Sequence, residues 1–124
     1  MLIGEIAREA GVSRDTVRLY TRLGLVASTA RRAGSRLYAD YDPSAVDLVK
    51  GIKIAQSIGF TLAELGPIAA AYVSGALDDA RQRELLTAKL GQIEDKQRQL
   101  GQMTEFLLTK LEDLGAPAKA SNKV

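Results

Sequence analysis

The last third of the chain carries a repeat that constrains the fold more than any other feature. One set of positions alternates in steps of four and three residues, and seven of its nine members are apolar: Leu86, Leu90, Ile93, Gln97, Leu100, Thr104, Leu107, Leu111 and Leu114. This alternation is the coiled-coil repeat. It predicts a helix over residues 80–114, roughly 52 Å long from the helical rise per residue, too long to pack along the small remainder of the chain. We therefore expect a dimerisation helix whose apolar members meet a partner helix.

The composition excludes several classes of protein. With 124 residues, 46% of them hydrophobic, the chain can bury the core of one small lobe beside the long helix. It contains no cysteine and no histidine, which excludes disulfides, thiolate metal sites, zinc fingers and histidine-based catalysis. No leader pattern opens the chain, and no apolar run approaches a membrane span of about 18 residues. We expect a soluble cytoplasmic protein without a membrane partner, metal or cofactor.

A helix-turn-helix is predicted at the start of the chain. Apolar residues recur at helical spacing between residues 3 and 10, and Gly11 can adopt the left-handed conformation that ends a helix. Ser13 suits the N-cap of a second helix, and Asp15 in its first turn faces the positive end of the helix dipole. Gly24 ends this second helix. Two short helices joined by so tight a turn are typical of a DNA-reading element.

A small β-hairpin, or wing, is predicted after the second helix. A basic turn over residues 31–36 separates the short extended runs at residues 25–26 and 37–38. Asp42 and Pro43 then indicate a third helix, with Pro43 at its first position and Asp42 as its cap. A fourth helix is predicted from residue 62, since Thr61 and Glu64 form a capping box and the flanking apolar residues stand at staple positions.

The predicted fold is mainly α. Gly66-Pro67 predicts a kink or a restart in the fourth helix, because proline removes an intrahelical hydrogen bond, and Asp79 is the expected cap of the long helix. We divide the chain into a winged helix-turn-helix lobe with helices three and four (1–74), a linker (75–79), the dimerisation helix of an antiparallel coiled coil (80–114) and a disordered tail (115–124).

Positive charge is concentrated at the front of the chain, although the net charge is only +2. Residues 8–36 hold seven arginines against two acidic residues. Arg14, Arg18 and Arg22 recur every four residues on one face of the second helix, which suits a groove in DNA, although one such row alone is more often a solvated face. A second cluster strengthens the DNA interpretation, because its members repel one another unless an anion faces them: Arg31, Arg32 and Arg36.

An enzyme is not expected. Carboxylates occur in groups at residues 40–47 and 78–79, and such groups can serve as metal or acid–base sites. Two of them already have capping roles, however, and the chain has no glycine-rich phosphate loop. No nucleophile has a matching base, so catalysis receives little weight.

In their order along the chain, these motifs resemble the MerR family of bacterial transcriptional regulators over nearly its whole length. The matching pieces are Ile3-Gly4-Glu5-Ile6-Ala7, Gly11-Val12-Ser13, Arg18-Leu19-Tyr20, Gly24-Leu25, Arg36-Leu37-Tyr38, the run from Gly59 to Leu65 and the long coil. The resemblance implies that the second helix is a recognition helix and that the wing grips the flanking backbone. Together, the charge pattern and the family resemblance predict these DNA contacts: Arg14, Thr16, Arg18, Tyr20, Arg22, Arg31, Arg32, Arg36, Tyr38 and Lys53. Tyrosines such as Tyr20 and Tyr38 are, taken singly, more often structural.

The resemblance also implies a homodimer on a pseudo-palindromic operator within an overlong promoter spacer. Bending and untwisting that double-stranded DNA would let RNA polymerase engage both promoter elements. Leu19, Thr21 and Ser35 depart from the family pattern, and Asp79 stands near the position where metal-sensing members carry a cysteine. Soft-metal sensing and cysteine-based redox sensing are therefore excluded, and a large C-terminal ligand domain is not expected.

Two alternatives remain beside this interpretation, and the effector is open. Four apolar residues off the seam can line a small-molecule pocket or, as we favour, pack on the partner subunit: Leu85, Met103, Phe106 and Leu108. An architectural, excisionase-like DNA-binding protein without an effector would share the basic lobe. A coiled-coil interaction module would use that lobe to bind an acidic protein.

Overall fold

The computed structural model describes residues 1–115, and the predicted tail beyond them lies outside the described residues. The elements follow the order α1 (Ile3–Ala10), α2 (Arg14–Arg22), β1 (Thr29–Ala33), β2 (Arg36–Asp40), α3 (Ala45–Ser57), α4 (Leu62–Ser74) and α5 (Asp79–Asp113). This order is a helix-turn-helix, a wing, two further helices and one long helix, which confirms the predicted mainly helical class. The chain divides into two compact units, 1–82 and a second that begins at residue 83.

The first unit encloses the core. Helix α1 packs against α2 and α3, and α3 packs against α4. The fully buried side chains come from α1, α2, the segment before the wing and α3: Ile6, Val17, Tyr20, Val26 and Val49. Burial of this apolar surface holds α2 at a fixed angle on the lobe, because the hydrophobic effect scales with the area removed from water.

The turn between α1 and α2 has the predicted geometry. Gly11 lies in the left-handed region at φ 72°, and its N–H closes α1 on Ala7 and Arg8 carbonyls. Ser13 caps α2, since its Oγ accepts from the Thr16 N–H at 3.1 Å. Gly24 has φ 78° just after α2. The predicted caps and ends of both helices are confirmed.

The wing is a two-stranded antiparallel hairpin with a two-residue turn. Ala33 pairs with Arg36, which leaves Gly34 and Ser35 in the turn. Gly34 has φ 63°, and Ser35 is not at positive φ, since no residue other than glycine has a positive φ in the described chain. A positive φ at the first turn residue alone is the pattern of a type II′ turn. Residues directly opposite in the register share a face of the sheet, so this register decides which wing side chains lie together.

The starts of α3 and α4 differ in how well they match expectation. The capping box of α4 is confirmed, since Glu64 N–H donates to Thr61 Oγ1 at 3.2 Å and Thr61 N–H donates to Glu64 Oε1 at 2.8 Å. Helix α3, by contrast, begins at residue 45. Asp42 Oδ1 accepts from Ser44 N–H at 2.9 Å, so the carboxylate closes a turn around Pro43 before the helix. The prediction of Pro43 at the first helical position is wrong for that reason.

Pro67 lies inside α4 without dividing it. The helix runs continuously from residue 62 to residue 74, so the predicted restart does not occur. Proline removes one donor from the ladder, and the turns on either side carry the helix past that gap. The left-handed Gly75, at φ 82°, ends α4 and accommodates the start of the linker.

Helix α5 extends over residues 79–113, within one residue of the predicted range at each end. Its cap is Asp78, whose Oδ1 accepts from Arg81 N–H at 2.8 Å; Asp79 stands in the first turn, so the prediction of Asp79 as the cap is off by one residue. The predicted seam is exposed in the single chain, between 38% and 82%, at Leu86, Leu90, Ile93, Leu100, Leu107, Leu111 and Leu114. Among the described residues, none of the helices has the length and apolar content of a membrane span.

Candidate nucleic-acid interface

The outer face of α2 carries a row of exposed arginines above a buried face. Arg14, Arg18 and Arg22 are all exposed, whereas Val17 and Tyr20 of the same helix are 0% exposed. The four-residue spacing places the three residues on one side of the helix, with the Arg14 guanidinium against Gly4 of α1. Five N–H donors on each arginine suit phosphate oxygens and the acceptor edge of guanine. The helix therefore presents the donors of Arg18 and Arg22 on its outer face, and the donors of Arg14 lie beside α1.

Arg18 is held by its neighbour on the helix surface. Its Nη1 donates to Asp15 Oδ1 at 2.7 Å, with 57% of the Arg18 side chain and 90% of the Asp15 side chain exposed. Pairs this exposed contribute at most about 1 kcal/mol. Asp15 therefore orients Arg18 outward without consuming more than one of its donors.

Arg14 lies against the first turn of α1. The ring of residues around its guanidinium forms a cleft of about 340 Å³ between α1 and the wing, lined by Leu2, Ile3, Gly4, Glu5, Arg8, Arg14, Tyr38 and Ala39. Within residues 1–115 no group accepts a hydrogen bond from Arg14 or forms an ion pair with it. The cleft thus brings Arg14 and the half-exposed Tyr38, two predicted contacts from separate elements, to one site.

Tyr20 does not belong to this surface. Its ring is fully buried and its hydroxyl donates to Gln56 Oε1 on α3. Burial raises the pKa of the Tyr20 phenol above its ordinary value because it disfavours the charged form. The prediction of Tyr20 as a groove or phosphate contact is wrong: the side chain joins α2 to α3 inside the core.

The wing arginines do not form one crowded tip. Arg31 pairs across the sheet with Tyr38, and its Nη1 donates to Asp40 Oδ2 at 3.1 Å. Arg36 lies on that same face, while Arg32, opposite Leu37, lies on the other. The expected mutual repulsion of the three arginines is therefore relieved at Arg31 by a carboxylate of the chain itself, although the Arg31 side chain is still 63% exposed.

Asp40 sits at the base of the wing between two cations. The amino group of Met1 donates to Asp40 Oδ1 at 2.8 Å, and Arg31 donates to its other oxygen. The Met1 ammonium first and Arg31 second hold the pKa of the Asp40 carboxyl below its ordinary value. Tyr41 N–H also donates to the Met1 carbonyl at 2.8 Å, so the first residue of the chain closes against the end of β2.

Two further predicted contacts occupy different surroundings. Thr16 is half-buried, and its hydroxyl shares a 2.9 Å hydrogen bond with Ser13 Oγ, so it first stabilises the start of α2. Lys53 is exposed on α3. The structure does not bring Lys53 into the cleft with Arg14 and Tyr38.

Sequence reasoning predicted only Arg14 and Tyr38 among the residues that line the cleft, and two of the residues that it missed bear on how Arg14 is placed and on the charge of the cleft. Arg8 on α1 lines it, and Gly4 lies directly under the Arg14 guanidinium. A glycine in the second position of a helix was a usable signal, because glycine is unfavourable there unless something needs the space. Arg8 carried no distinguishing pattern, since it follows the buried pair Ile6 and Ala7 as any solvated residue would.

Beyond DNA contacts, the described residues bear on two other kinds of site, a metal site and an effector pocket on α5. Residues 1–115 contain no group of three or more histidine, cysteine, aspartate or glutamate side chains that could hold a metal ion. On α5, an open depression of about 530 Å³ is lined by Gln99, Gln102, Met103, Phe106 and Leu107. Neither Leu85 nor Leu108 lines that depression, so the four residues considered for an effector pocket do not surround one space in the single chain.

Comparison with known proteins identifies the architecture. Residues 1–71 match the family model of the MerR HTH family regulatory protein, and residues 46–110 match the MerR, DNA binding model. The mercuric resistance operon regulatory protein of Bacillus cereus is 35% identical over 98 residues, covering 79% of this chain and 70% of that protein. The corresponding protein of Shigella flexneri is 34% identical over 116 residues, covering 90% and 74%.

Solved structures agree with the sequence comparison. The lead(II) complex of the transcription regulator PbrR691 from Ralstonia metallidurans CH34 superposes with a TM-score of 0.73 at 26% identity, over 91% of this chain and 85% of that one. HiNmlR, a MerR family regulator lacking the sensor domain and bound to promoter DNA, shares the fold with a TM-score of 0.54 at 20% identity, over 98% and 95%. With its exposed arginine row, its wing and its long helix, the chain belongs to the MerR family of helix-turn-helix regulatory proteins.

Proposed function

We propose that this DNA-binding transcriptional regulator acts as a homodimer on a two-fold symmetric operator, with α2 in the major groove and the wing on the flanking backbone. The observation that carries the proposal is the row of exposed arginines on α2, fixed to the lobe by the buried Val17 and Tyr20. An α-helix fits the major groove of B-DNA, where arginine pairs with the two acceptors of guanine. Arg18 and Arg22 are the contacts expected to read bases.

The wing supplies contacts that position the lobe without reading sequence. Arg36 and Tyr38 lie on one face of the hairpin and Arg32 on the other. Arginine and tyrosine donate to phosphate oxygens, which fixes the register of the protein on the duplex. Arg31 contributes more weakly, because Asp40 already accepts one of its donors. Lys53 on α3 is a further phosphate contact in this proposal.

The homodimer is proposed from the apolar seam of α5. Seven leucine or isoleucine side chains at four- and three-residue spacing stay exposed in the single chain, and exposed apolar residues in such a repeat gain free energy by packing on a second helix. An antiparallel pair would relate the two lobes by two-fold symmetry.

Regulation is proposed to work through the shape of the DNA. Many phosphate contacts from two lobes can offset a deformation that costs on the order of 1–10 kcal/mol. A dimer that bends and untwists the promoter would change how RNA polymerase engages its two elements. The relatives named above are regulatory proteins of the mercuric resistance operon, whereas the 124 residues of this chain contain no cysteine, the thiolate ligand that soft metals prefer. The proposal therefore includes no soft-metal site in these residues.

The proposal is tested by selection followed by binding measurements. A pool of random duplexes is incubated with the wild-type protein, bound duplexes are sequenced, and the enriched duplex is measured by fluorescence anisotropy at several salt concentrations. We expect an inverted repeat and a steep salt dependence, because each phosphate contact releases counterions. Arg18→Ala should weaken binding by about 1–3 kcal/mol, at least about fivefold in Kd, while the dimer persists.

A matched control is available on α5. Arg98 pairs with Asp95 three residues earlier, in the same arrangement as Arg18 with Asp15. Arg98→Ala removes an equivalent exposed pair from the second unit, which has no predicted DNA contact, so the Kd of this variant should equal that of the wild type. Equal Kd values for wild type and Arg18→Ala would contradict the assignment of α2. If no duplex is enriched, the result would favour a coiled-coil interaction module whose basic lobe binds an acidic protein. If the protein binds a duplex but transcription from a promoter that carries it does not change, the result would favour an architectural DNA-binding protein.

A further inference from the structure

A glycine lies under the Arg14 guanidinium where the backbone does not require one. Gly4 belongs to the first turn of α1 and is not among the glycines at positive φ, such as Gly11 and Gly34. Glycine inside a helix lowers stability relative to alanine, because it loses more backbone freedom on folding. The missing side chain at residue 4 therefore has a cause other than backbone conformation.

That cause is the space that Arg14 occupies. A methyl group at residue 4 would lie 2.8 Å from Arg14 Nη2 and 3.2 Å from both Cζ and Nε. The three atoms nearest to that methyl position all belong to the guanidinium, so the group lies directly against the bare turn of α1. A contact of 2.8 Å is shorter than a Cβ atom tolerates. An alanine at residue 4 and Arg14 in its present position are therefore mutually exclusive.

We propose that Gly4 is a positioning residue for DNA binding: its bare backbone seats the Arg14 guanidinium so that its donors meet a backbone phosphate of the duplex. The inference rests on the proposed function, since it takes Arg14 to be a DNA contact. The guanidinium lies against α1, in a cleft shared with Tyr38 of the wing, rather than beyond the outer face of α2. That location favours the sugar-phosphate backbone over a base edge.

Packing of the Arg14 guanidinium on α1 matters for binding because an arginine side chain loses rotamer entropy when it makes a fixed contact. A long side chain gives up much of its rotamer freedom when it makes a fixed contact, and a guanidinium already packed on α1 has given up part of it before DNA arrives. Gly4→Ala would remove the seat without damaging the fold, since the displaced atoms are the far end of a flexible, exposed side chain. The substitution thus separates the location of Arg14 from the stability of the lobe.

The experiment is a double-mutant cycle on the duplex enriched by the wild-type protein. Four proteins are compared by fluorescence anisotropy over a range of salt: wild type, Gly4→Ala, Arg14→Ala and the double variant. We expect about 10-fold weaker binding for Arg14→Ala and about three- to 10-fold for Gly4→Ala, each with a salt slope reduced by about one. In the Arg14→Ala background, Gly4→Ala should have an effect of less than about 1.5-fold.

Gly51→Ala is the matched control, because Gly51 is an exposed helical glycine on α3 with nothing within 4 Å of its would-be Cβ. Thermal midpoints of Gly4→Ala and Gly51→Ala should equal or exceed that of the wild type, and only Gly4→Ala should weaken binding. The positioning role would be overturned if Gly4→Ala changed the Kd equally in both Arg14 backgrounds or changed it in neither. It would also be overturned if Gly4→Ala lowered the thermal midpoint. If no duplex is enriched, or if Arg14→Ala binds as tightly as the wild type, the underlying DNA contact is what fails.

Discussion

Tyr20→Phe separates a core tyrosine from a DNA-contacting one. The phenylalanine ring fills the volume that the 0% exposed Tyr20 ring occupies, so packing against the core is retained. The change removes one hydrogen bond, from the hydroxyl to Gln56 Oε1. Because this hydroxyl points from α2 into the lobe toward α3, we expect lower stability and unchanged affinity for DNA.

The expected loss of stability follows from the surroundings of the hydrogen bond. A neutral intramolecular hydrogen bond contributes about 0.5–1.5 kcal/mol net, and an unsatisfied buried acceptor costs more. Gln56 is only half-buried, so its freed amide oxygen can turn to water. We therefore expect a loss of about 1 kcal/mol, or about 4–8 °C in the thermal midpoint of a lobe this size.

The pH dependence gives a second, independent readout. Burial raises the pKa of Tyr20 above its ordinary value of 10.0, so the neutral phenol is favoured in the folded state. The contribution of the neutral Tyr20 phenol to the free energy of unfolding is fully present below pH 10.0 and is lost as the pH rises through the pKa of the folded state. The wild-type midpoint should fall more steeply above pH 10.0 than the Tyr20→Phe midpoint.

The assay compares Tyr20→Phe with Tyr38→Phe, which removes the same hydroxyl from a half-exposed wing position. Urea unfolding followed by circular dichroism, at one protein concentration, gives stability, and anisotropy at constant salt gives Kd. Tyr20→Phe should change Kd by less than about twofold, whereas Tyr38→Phe should weaken binding and keep the unfolding midpoint. A large loss of affinity in Tyr20→Phe with an unchanged midpoint would refute the core assignment.

Two further predictions concern the coil and the base of the wing. Leu100→Glu with Leu107→Glu puts charge in the proposed seam and should convert the dimer to monomer in sedimentation velocity; a persistent dimer would reject this seam. Asp40→Asn should lower the thermal midpoint at neutral pH, and the difference from wild type should shrink as the pH falls below 3.8. Because the pKa of Asp40 is lowered in the folded state, the stability that its carboxylate contributes is present above pH 3.8 and is lost as the carboxyl protonates. A difference in thermal midpoint that does not change with pH would contradict this role of Asp40.

Local signals of one kind were sufficient to predict much of the fold from the sequence. Gly11, Ser13, Thr61 and Glu64 act within three or four residues of their partners, so their roles follow from spacing and side-chain chemistry alone. The extent of α5 followed from its repeat in the same way. Asp42 is the instructive exception, because a carboxylate before proline can close a turn or cap a helix, and the choice depends on where the neighbouring core residues must lie.

The candidate site was less predictable because its contacts cross between elements. The four-residue spacing of the α2 arginines indicates a shared face, but nothing local to Arg31 reveals Asp40 on the opposite strand, nine residues away. Tyr20 illustrates the reverse error: it sits three residues from Val17, on the buried side of α2, and helical geometry alone argued for the core. The family resemblance drew it toward the DNA, and the packing of α3 on the lobe decides against that.

Three of the arginines on α2 and the wing share a property that bears on how DNA is bound. Arg14 is packed on α1, Arg18 is held by Asp15 and Arg31 by Asp40, so three long side chains are partly ordered in the free protein. Binding then costs them less rotamer entropy than it costs a free arginine. The exposed Arg18–Asp15 pair contributes about 1 kcal/mol or less, whereas a bidentate contact between arginine and guanine contributes about 1–3 kcal/mol. We therefore expect exchange of Asp15 for a DNA acceptor at Arg18 to be favourable, so that the Arg18–Asp15 pair orients the arginine in the free protein and is displaced on binding.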